Sequence, residues 1–113
     1  MIATSAEFWK AFFDPAHPRH AKARAGIKIF DREKIVLSAF VLAEVSRWLS
    51  ERKKGRALEW FLDYAQNTAN VRIFHFGKDE FAALARISAD EGVPFERASL
   101  IYLERSLNVD VSD

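Results

Sequence analysis

Short apolar runs alternate along the chain with longer stretches in which apolar residues recur at helical spacing. Residues 35–37 are continuously apolar and residues 71–76 are rich in β-branched and aromatic side chains, patterns typical of buried strands. Residues 2–3 and 109–111 are two further short strand candidates. Helical periodicity and helix breakers together predict six helices, over residues 5–13, 18–26, 39–52, 56–68, 78–91 and 94–107.

Capping residues and helix breakers set the ends of these helices. Thr4 and Glu7 have the spacing of a capping box, and Ser38 is placed to cap the helix that follows it. Gly26 and Gly92 are expected to end helices. Strands that alternate with helices or helix pairs imply parallel strands joined by crossovers. We therefore predict an α/β fold, a three-layer α/β/α sandwich with a short parallel four-stranded sheet.

Composition limits the number of domains and the available chemistry. At 113 residues, half of them hydrophobic, the chain has the size and the apolar content of one domain. The absence of cysteine excludes disulfides, thiolate metal sites and a cysteine nucleophile. A net charge of +1 does not indicate nucleic-acid binding, so such a site has to come from a local cluster such as Arg19, Lys22 and Arg24. No leader or membrane-spanning stretch is visible, and we expect a cytoplasmic protein.

The functional crevice of a parallel α/β sheet lies at the carboxyl ends of its strands. This rule selects residues 3–5, 38–44, 77–80 and 112–113 for inspection. In these regions, and in their order along the chain, the sequence resembles the PIN domains, in particular the small VapC-like toxin ribonucleases. The segments that carry the resemblance are Ile2-Ala3-Thr4-Ser5, Asp14-Pro15 with residues 18–23, residues 37–45, residues 93–100 and residues 109–113.

The resemblance implies a fold, an activity and partners. It implies a single PIN-like domain over residues 1–113, without the C-terminal strand and helix that are usual in the family. The implied chemistry is cleavage of RNA phosphodiesters, in which carboxylates hold Mg²⁺ or Mn²⁺ and the metal activates water. The implied partners are RNA, a second copy of the chain and an antitoxin-like protein.

Four acidic positions of the family can be placed on this chain, and acids occupy two of them. Glu44 in the third predicted helix and Asp113 at the end of the last strand would be the catalytic, metal-binding carboxylates. Ala3 and Arg97 stand where the family has aspartates. The acidic site is therefore expected to be degenerate.

Other polar residues near the crevice are candidates for supporting roles. Glu96 is an imperfect replacement for the missing acid, because adjacent residues of a helix point about 100° apart. Thr4 and Ser5 are expected to cap the first helix and to offer hydroxyl groups to the site. Asp79 and Asp110 are further acids that an active nuclease would use.

The replacements at Ala3 and Arg97 bear on two functional hypotheses. The guanidinium of Arg97 between Glu44 and Asp113 would supply the positive charge of a metal, but neither a Lewis acid nor an activated water. We favour a degenerate PIN-like domain, non-catalytic or weakly active, that binds RNA or protein as a dimer. The alternative is an active Mg²⁺- or Mn²⁺-dependent endoribonuclease of a toxin–antitoxin system.

Aromatic and histidine residues have simpler interpretations. The histidines do not have the pattern of a zinc site. The aromatic residues are mostly core at helical spacing, but they exceed what a small sandwich readily hides, and part of them is expected to form a homodimer interface. This set comprises Trp9, Phe12, Phe13, Trp48, Trp60, Phe61 and Tyr64.

Overall fold

A four-stranded parallel sheet organises the molecule, whose computed structural model describes residues 1–113. The strand order is β3-β2-β1-β4, and all three neighbouring pairs are parallel. The predicted three-layer α/β/α architecture is confirmed. The strands are β1 (Ile2–Thr4), β2 (Ile35–Ser38), β3 (Val71–Phe74) and β4 (Asp110–Ser112).

Six helices connect the strands and cover both faces of the sheet. The steps from β1 to β2 and from β2 to β3 run in one direction, and the connection from β3 to β4 returns across the sheet, so right-handed crossovers place helices on both faces. The helices are α1 (Ala6–Phe13), α2 (His20–Phe30), α3 (Ala39–Glu51), α4 (Gly55–Asn67), α5 (Lys78–Glu91) and α6 (Phe95–Leu107).

The hydrophobic core lies between the sheet and its helices, with Trp9 of α1 at a central position. The Trp9 ring is fully buried and packs edge-on against Phe8, Phe12 and Phe61. Its Nε1 donates a hydrogen bond to Thr4 Oγ1 at the end of β1, over 2.9 Å. All four residues of β2 are buried, as the apolar pattern of that segment predicts. Six of the fifteen aromatic residues are buried, and two, Trp60 and Phe81, are exposed.

The bounds predicted for the second helix are wrong at both ends. Residues 14–19 form turns, in which Asp14 Oδ1 accepts a hydrogen bond from the backbone N–H of Ala16. Gly26 does not end α2 but lies inside it. Phe30 extends the buried face of α2 by one more turn, and this packing outweighs the cost of a mid-helix glycine, about 1 kcal/mol.

Two other local predictions need correction, and two are confirmed. The N-cap of α1 is Ser5, whose Oγ accepts from the backbone N–H of Phe8, while Thr4 bonds Trp9 instead. Strand β3 ends at Phe74 and not at residue 76, because its partner β2 ends at the paired position, Ser38. Ser38 caps α3 through a hydrogen bond from Phe40, and Gly92 ends α5 with a φ of +63°.

None of the helices combines the length and the apolar character that crossing a membrane requires.

Candidate functional site

The crevice at the carboxyl ends of β1 and β4 brings together residues from four elements of the fold. Ala3 lies fully buried in β1 between Val36 and Val111 of the neighbouring strands. Ser5 follows β1, and Asp113 follows β4, so both stand at this edge of the sheet. The sheet thus presents a methyl group, a hydroxyl and one carboxylate where the resembled family has a cluster of acids.

Arg97 and Asp113 form an ion pair in this crevice. Arg97 lies in the first turn of α6, and its Nη2 donates to Asp113 Oδ1 over 2.9 Å. The Nη1 of Arg19, which precedes α2, donates to the backbone carbonyl of Asp113 over 3.4 Å. Burial alone would raise the pKa of Asp113, but hydrogen bonds from Ser5 and Arg97 outweigh it and lower the pKa below the ordinary value. Asp113 is therefore ionised at neutral pH and held by cations.

Glu96 also reaches the crevice, although it is adjacent to Arg97 in sequence. Its Oε1 accepts a hydrogen bond from the backbone N–H of Ala6, the first residue of α1, over 3.3 Å. A carboxylate at this position is stabilised by the unpaired amides and the positive end of the helix dipole. The long Arg97 side chain reaches Asp113 from the next position. Both residues therefore enter the site, although adjacent residues of a helix point about 100° apart.

Glu44 lies in a different set of contacts. Its Oε1 is 2.6 Å from Arg47 Nη2 and 3.3 Å from Lys10 Nζ, and no hydrogen bond or ion pair joins it to Arg97 or Asp113. The hydrogen bond from Arg47 lowers the pKa of Glu44 and outweighs the opposing effect of burial. The expected pairing of Arg97 with Glu44 is thus wrong, because Lys10 on α1 and Arg47 on α3 form the ion pairs with the Glu44 carboxylate.

The predicted basic cluster divides into two parts. Arg19 and Lys22 line a cavity of about 300 Å³ between α2 and β4, next to Asp113. Arg24 points elsewhere, with its guanidinium 4.3 Å from the ring centroid of Phe12. The positive charge beside the crevice therefore comes from Arg19 and Lys22.

Two further candidate acids lie outside the cluster. Asp79 is exposed in the first turn of α5, and Asp110 is exposed at the start of β4. A larger cavity of about 770 Å³ lies near the starts of β2 and β3, and its lining contains no acidic residue. Neither Asp79 nor Asp110 pairs with Arg97, whose partner is Asp113.

Comparison with solved structures establishes the fold. The chain superimposes on the crystal structure of VapC20 from Mycobacterium tuberculosis, described as a sarcin–ricin loop cleaving toxin, with a TM-score of 0.79 and 21% sequence identity. The match covers 96% of this chain and 85% of that one. The fold is PIN-like. The sequence matches no protein-family model, and no curated protein matches it.

The acidic residues of this PIN-like crevice do not fit a hard divalent cation. Mg²⁺ and Mn²⁺ need several free oxygen ligands in one place. No group of three or more histidine or acidic side chains in the chain is arranged to hold a metal ion. Asp113 and Glu44 are each paired with cations, and Ala3 offers no ligand atom. No cation is shared by Glu44 and Asp113, the two residues expected to bind the metal.

Sequence reasoning missed two residues that pair with the candidate site residue Glu44. Arg47 lies three residues after Glu44, a spacing at which opposite charges meet on a helix, and this signal is visible in the sequence. Lys10 comes from another helix, 34 positions away, and only the packing of α1 against α3 brings it to Glu44. No local pattern indicates that contact.

Proposed function

We propose that this PIN-like domain binds single-stranded RNA in the crevice and holds it without metal-dependent cleavage. The observation that carries the proposal is the ion pair of Arg97 with Asp113, 2.9 Å long, at the edge of the sheet where Ala3 stands in place of an acid. An arginine there is a permanent cation that requires no metal to attract a phosphate. It cannot activate water as a metal does.

The charges around the crevice favour an anion. Three cationic side chains, Arg19, Lys22 and Arg97, face two carboxylates, those of Glu96 and Asp113. The Arg97 side chain is one-third exposed and uses one Nη2 contact to Asp113, so its other donors are available to a phosphate oxygen. A phosphodiester can therefore enter without displacing the ion pair.

Substitution of Arg97 by alanine tests the proposal. We expect Arg97→Ala to weaken the binding of a labelled single-stranded RNA of about ten nucleotides by about tenfold, as for the loss of one charge-assisted contact. We also expect the slope of log affinity against log salt to fall by about 0.7. Fluorescence anisotropy in EDTA at several salt concentrations measures both quantities.

The matched control is Arg32→Ala. Arg32 is exposed and has no ion pair, and it precedes β2 at the opposite edge of the sheet. Its removal should leave the affinity within about twofold of wild type, because distant surface charges contribute little through screened solvent. Equal losses in both variants, or no loss in Arg97→Ala, would contradict a crevice site.

The fold likeness to a toxin that cleaves the sarcin–ricin loop supports a second candidate function, a metal-dependent endoribonuclease of a toxin–antitoxin system. For that function, Glu44 would have to leave its ion pairs with Lys10 and Arg47 and bind the metal. It predicts RNA cleavage that requires Mg²⁺ or Mn²⁺ and is lost in Glu44→Ala.

Three other parts of the proposal come from the resemblance and the composition. The domain would act as a homodimer, with an antitoxin-like protein as a further partner, and in the cytoplasm, where a cysteine-free chain is common. The aromatic residues provide less support for a dimer than their number suggests, because Trp9, Phe12 and Phe61 are buried in the core.

A further inference from the structure

The helices leave part of one face of the sheet uncovered. Thr4 of β1 points to the face that carries α1, since it accepts a hydrogen bond from Trp9. Ser38 of β2 points to the opposite face, which we call the α6 face, and its Oγ lies 2.6 Å from the Oγ of Ser99 on α6. There α6 packs against β2 and β4, and α5 packs against α6. The helix that packs against β3 is α4, which lies on the α1 face, where its Phe61 contacts Trp9.

One helix is too narrow to cover a four-stranded sheet. Neighbouring strands lie about 4.8 Å apart, so four strands are about 19 Å wide, whereas a helix with its side chains is about 10–12 Å wide. The strand order places β3 at the edge, and α6 packs against β2 and β4 instead. A cavity of about 770 Å³ lies between this edge of the sheet and α6. We call it the trough.

The floor and the wall of the trough carry hydrophobic side chains. Val36 lies two residues before Ser38 on β2 and therefore points to the same α6 face. Val36 is paired in register with Arg72 of β3, so Arg72 and Phe74 point to that face as well. Leu107 of α6 lies on the opposite wall. Phe74 is half-buried and Leu107 is 46% exposed, so the rest of the chain does not close off this surface.

The lining of the trough suits an alkyl chain. Nine of its thirteen residues are hydrophobic, and Phe74 is the one aromatic residue among these nine. The volume of about 770 Å³ is within the range of small-molecule sites, about 300–1,000 Å³. Such sites are mainly apolar, with a few polar groups that orient the ligand. Aliphatic walls favour a hydrocarbon chain over a nucleobase, which needs flat aromatic surfaces on which to stack.

The charged residues of the trough favour an anionic head group. Lys34 and Arg72 line it, are exposed and have no ion pair. No acidic residue lines the trough. Glu33, which adjoins Lys34 in sequence, lies outside the lining, with its carboxylate 3.9 Å from the amino group of Met1. The planar guanidinium of Arg72 can donate two parallel hydrogen bonds to one carboxylate, which a neutral head group cannot match.

We propose that the trough binds a small aliphatic carboxylate. The alkyl chain lies against Val36, Phe74 and Leu107, and the carboxylate pairs with Arg72 on the edge strand. Each buried methylene stabilises the complex through the hydrophobic effect, and the head group adds charge-assisted hydrogen bonds. The trough lies near the starts of β2 and β3, whereas the crevice lies at the carboxyl ends of β1 and β4. The inference is therefore independent of the proposed RNA binding.

A series of alkyl carboxylates and one neutral alcohol test the inference. The probes are hexanoate, octanoate, decanoate and 1-decanol, each titrated below micelle formation and followed by amide chemical shifts in ¹H–¹⁵N NMR spectra. We expect each added methylene to tighten carboxylate binding by about fourfold. The shifts should centre on Val36, Arg72 and Leu107. Decanol has the same chain without the charge and should bind about tenfold more weakly than decanoate.

Two substitutions separate the two contacts. Arg72→Ala should weaken the binding of decanoate about tenfold and leave that of decanol unchanged, because only the charged head group loses its partner. Leu107→Ala should weaken the binding of both probes by equal factors, because it removes part of the apolar wall. Arg86→Ala is the matched control, since Arg86 is exposed on α5, has no ion pair and does not line the trough. It should bind both probes as wild type does, and thermal melting checks that all three variants are folded.

Three results would overturn the inference. The first is the absence of saturable decanoate binding at millimolar concentrations, or chemical shifts that centre on the crevice. The second is equal affinity of wild type for decanoate and decanol, or an equal loss for both probes in Arg72→Ala. The third is a dimer of the wild-type protein that dissociates in Leu107→Glu, because a second copy of the chain would then occupy the trough.

Discussion

Substitution of Trp9 by alanine should lower the free energy of unfolding by about 3–5 kcal/mol, the usual cost of truncating a large buried aromatic. The ring is fully buried, contacts aromatic residues of α1 and α4, and bonds Thr4 at the end of β1. Its removal leaves a cavity and an unpaired Thr4 hydroxyl. Urea denaturation followed by far-ultraviolet circular dichroism measures the change.

Ile29→Ala is the control for this experiment. Ile29 is 67% exposed on α2, so its truncation should change the free energy of unfolding by no more than about 0.5 kcal/mol. If Trp9→Ala lowered the free energy of unfolding by less than about 1 kcal/mol, the described packing of α1 between the sheet and α4 would be contradicted. The crevice would then be misplaced too, since α1 carries Ser5 and Ala6 into it.

Arg97→Asp should convert the crevice into a site that responds to metal. The change removes the cation that holds Asp113 and places a third carboxylate beside Glu96 and Asp113. Without metal, repulsion among these acids should lower the melting temperature. Mn²⁺ at a hundredfold excess over its dissociation constant should restore about 2.7 kcal/mol of stability. Differential scanning fluorimetry with and without Mn²⁺ measures the effect.

The wild-type protein and Arg97→Ala are the controls for the metal response. Neither contains the third carboxylate, and neither should be stabilised by Mn²⁺. A metal response in wild type equal to that of Arg97→Asp would show that Arg97 does not take the place of a cation. No response in Arg97→Asp would show that Glu96 and Asp113 lie too far apart to share one.

The fold could be predicted largely from local signals. The apolar run of β2 and the helical spacing of α3 are strong, and Ser38 marks the boundary between them. The second helix was predicted poorly because its length depends on a contact made far from it in sequence. Phe30 packs on Phe8 of α1 with ring centroids 5.3 Å apart. The expectation that Gly26 ends the helix takes no account of that packing.

The candidate site could be predicted in part. Its place at the strand ends and the presence of Arg97 and Asp113 follow from the α/β pattern and the family resemblance. The pairing of Glu44 with Lys10 could not be predicted, because Lys10 belongs to another helix. Trp60 was expected to be mostly core by its spacing on α4, and only the structure shows that it is 44% exposed.

Binding of single-stranded RNA by the wild-type protein, compared in EDTA and in Mn²⁺ at equal ionic strength, tests the central claim most directly. If Arg97 and its neighbours hold the phosphates, the two dissociation constants should agree within about twofold, because the free energy of binding then contains no metal contribution. The RNA should be recovered at full length in both conditions. Binding or cleavage that appears only with Mn²⁺, and that Glu44→Ala abolishes, would contradict the claim and identify an active nuclease.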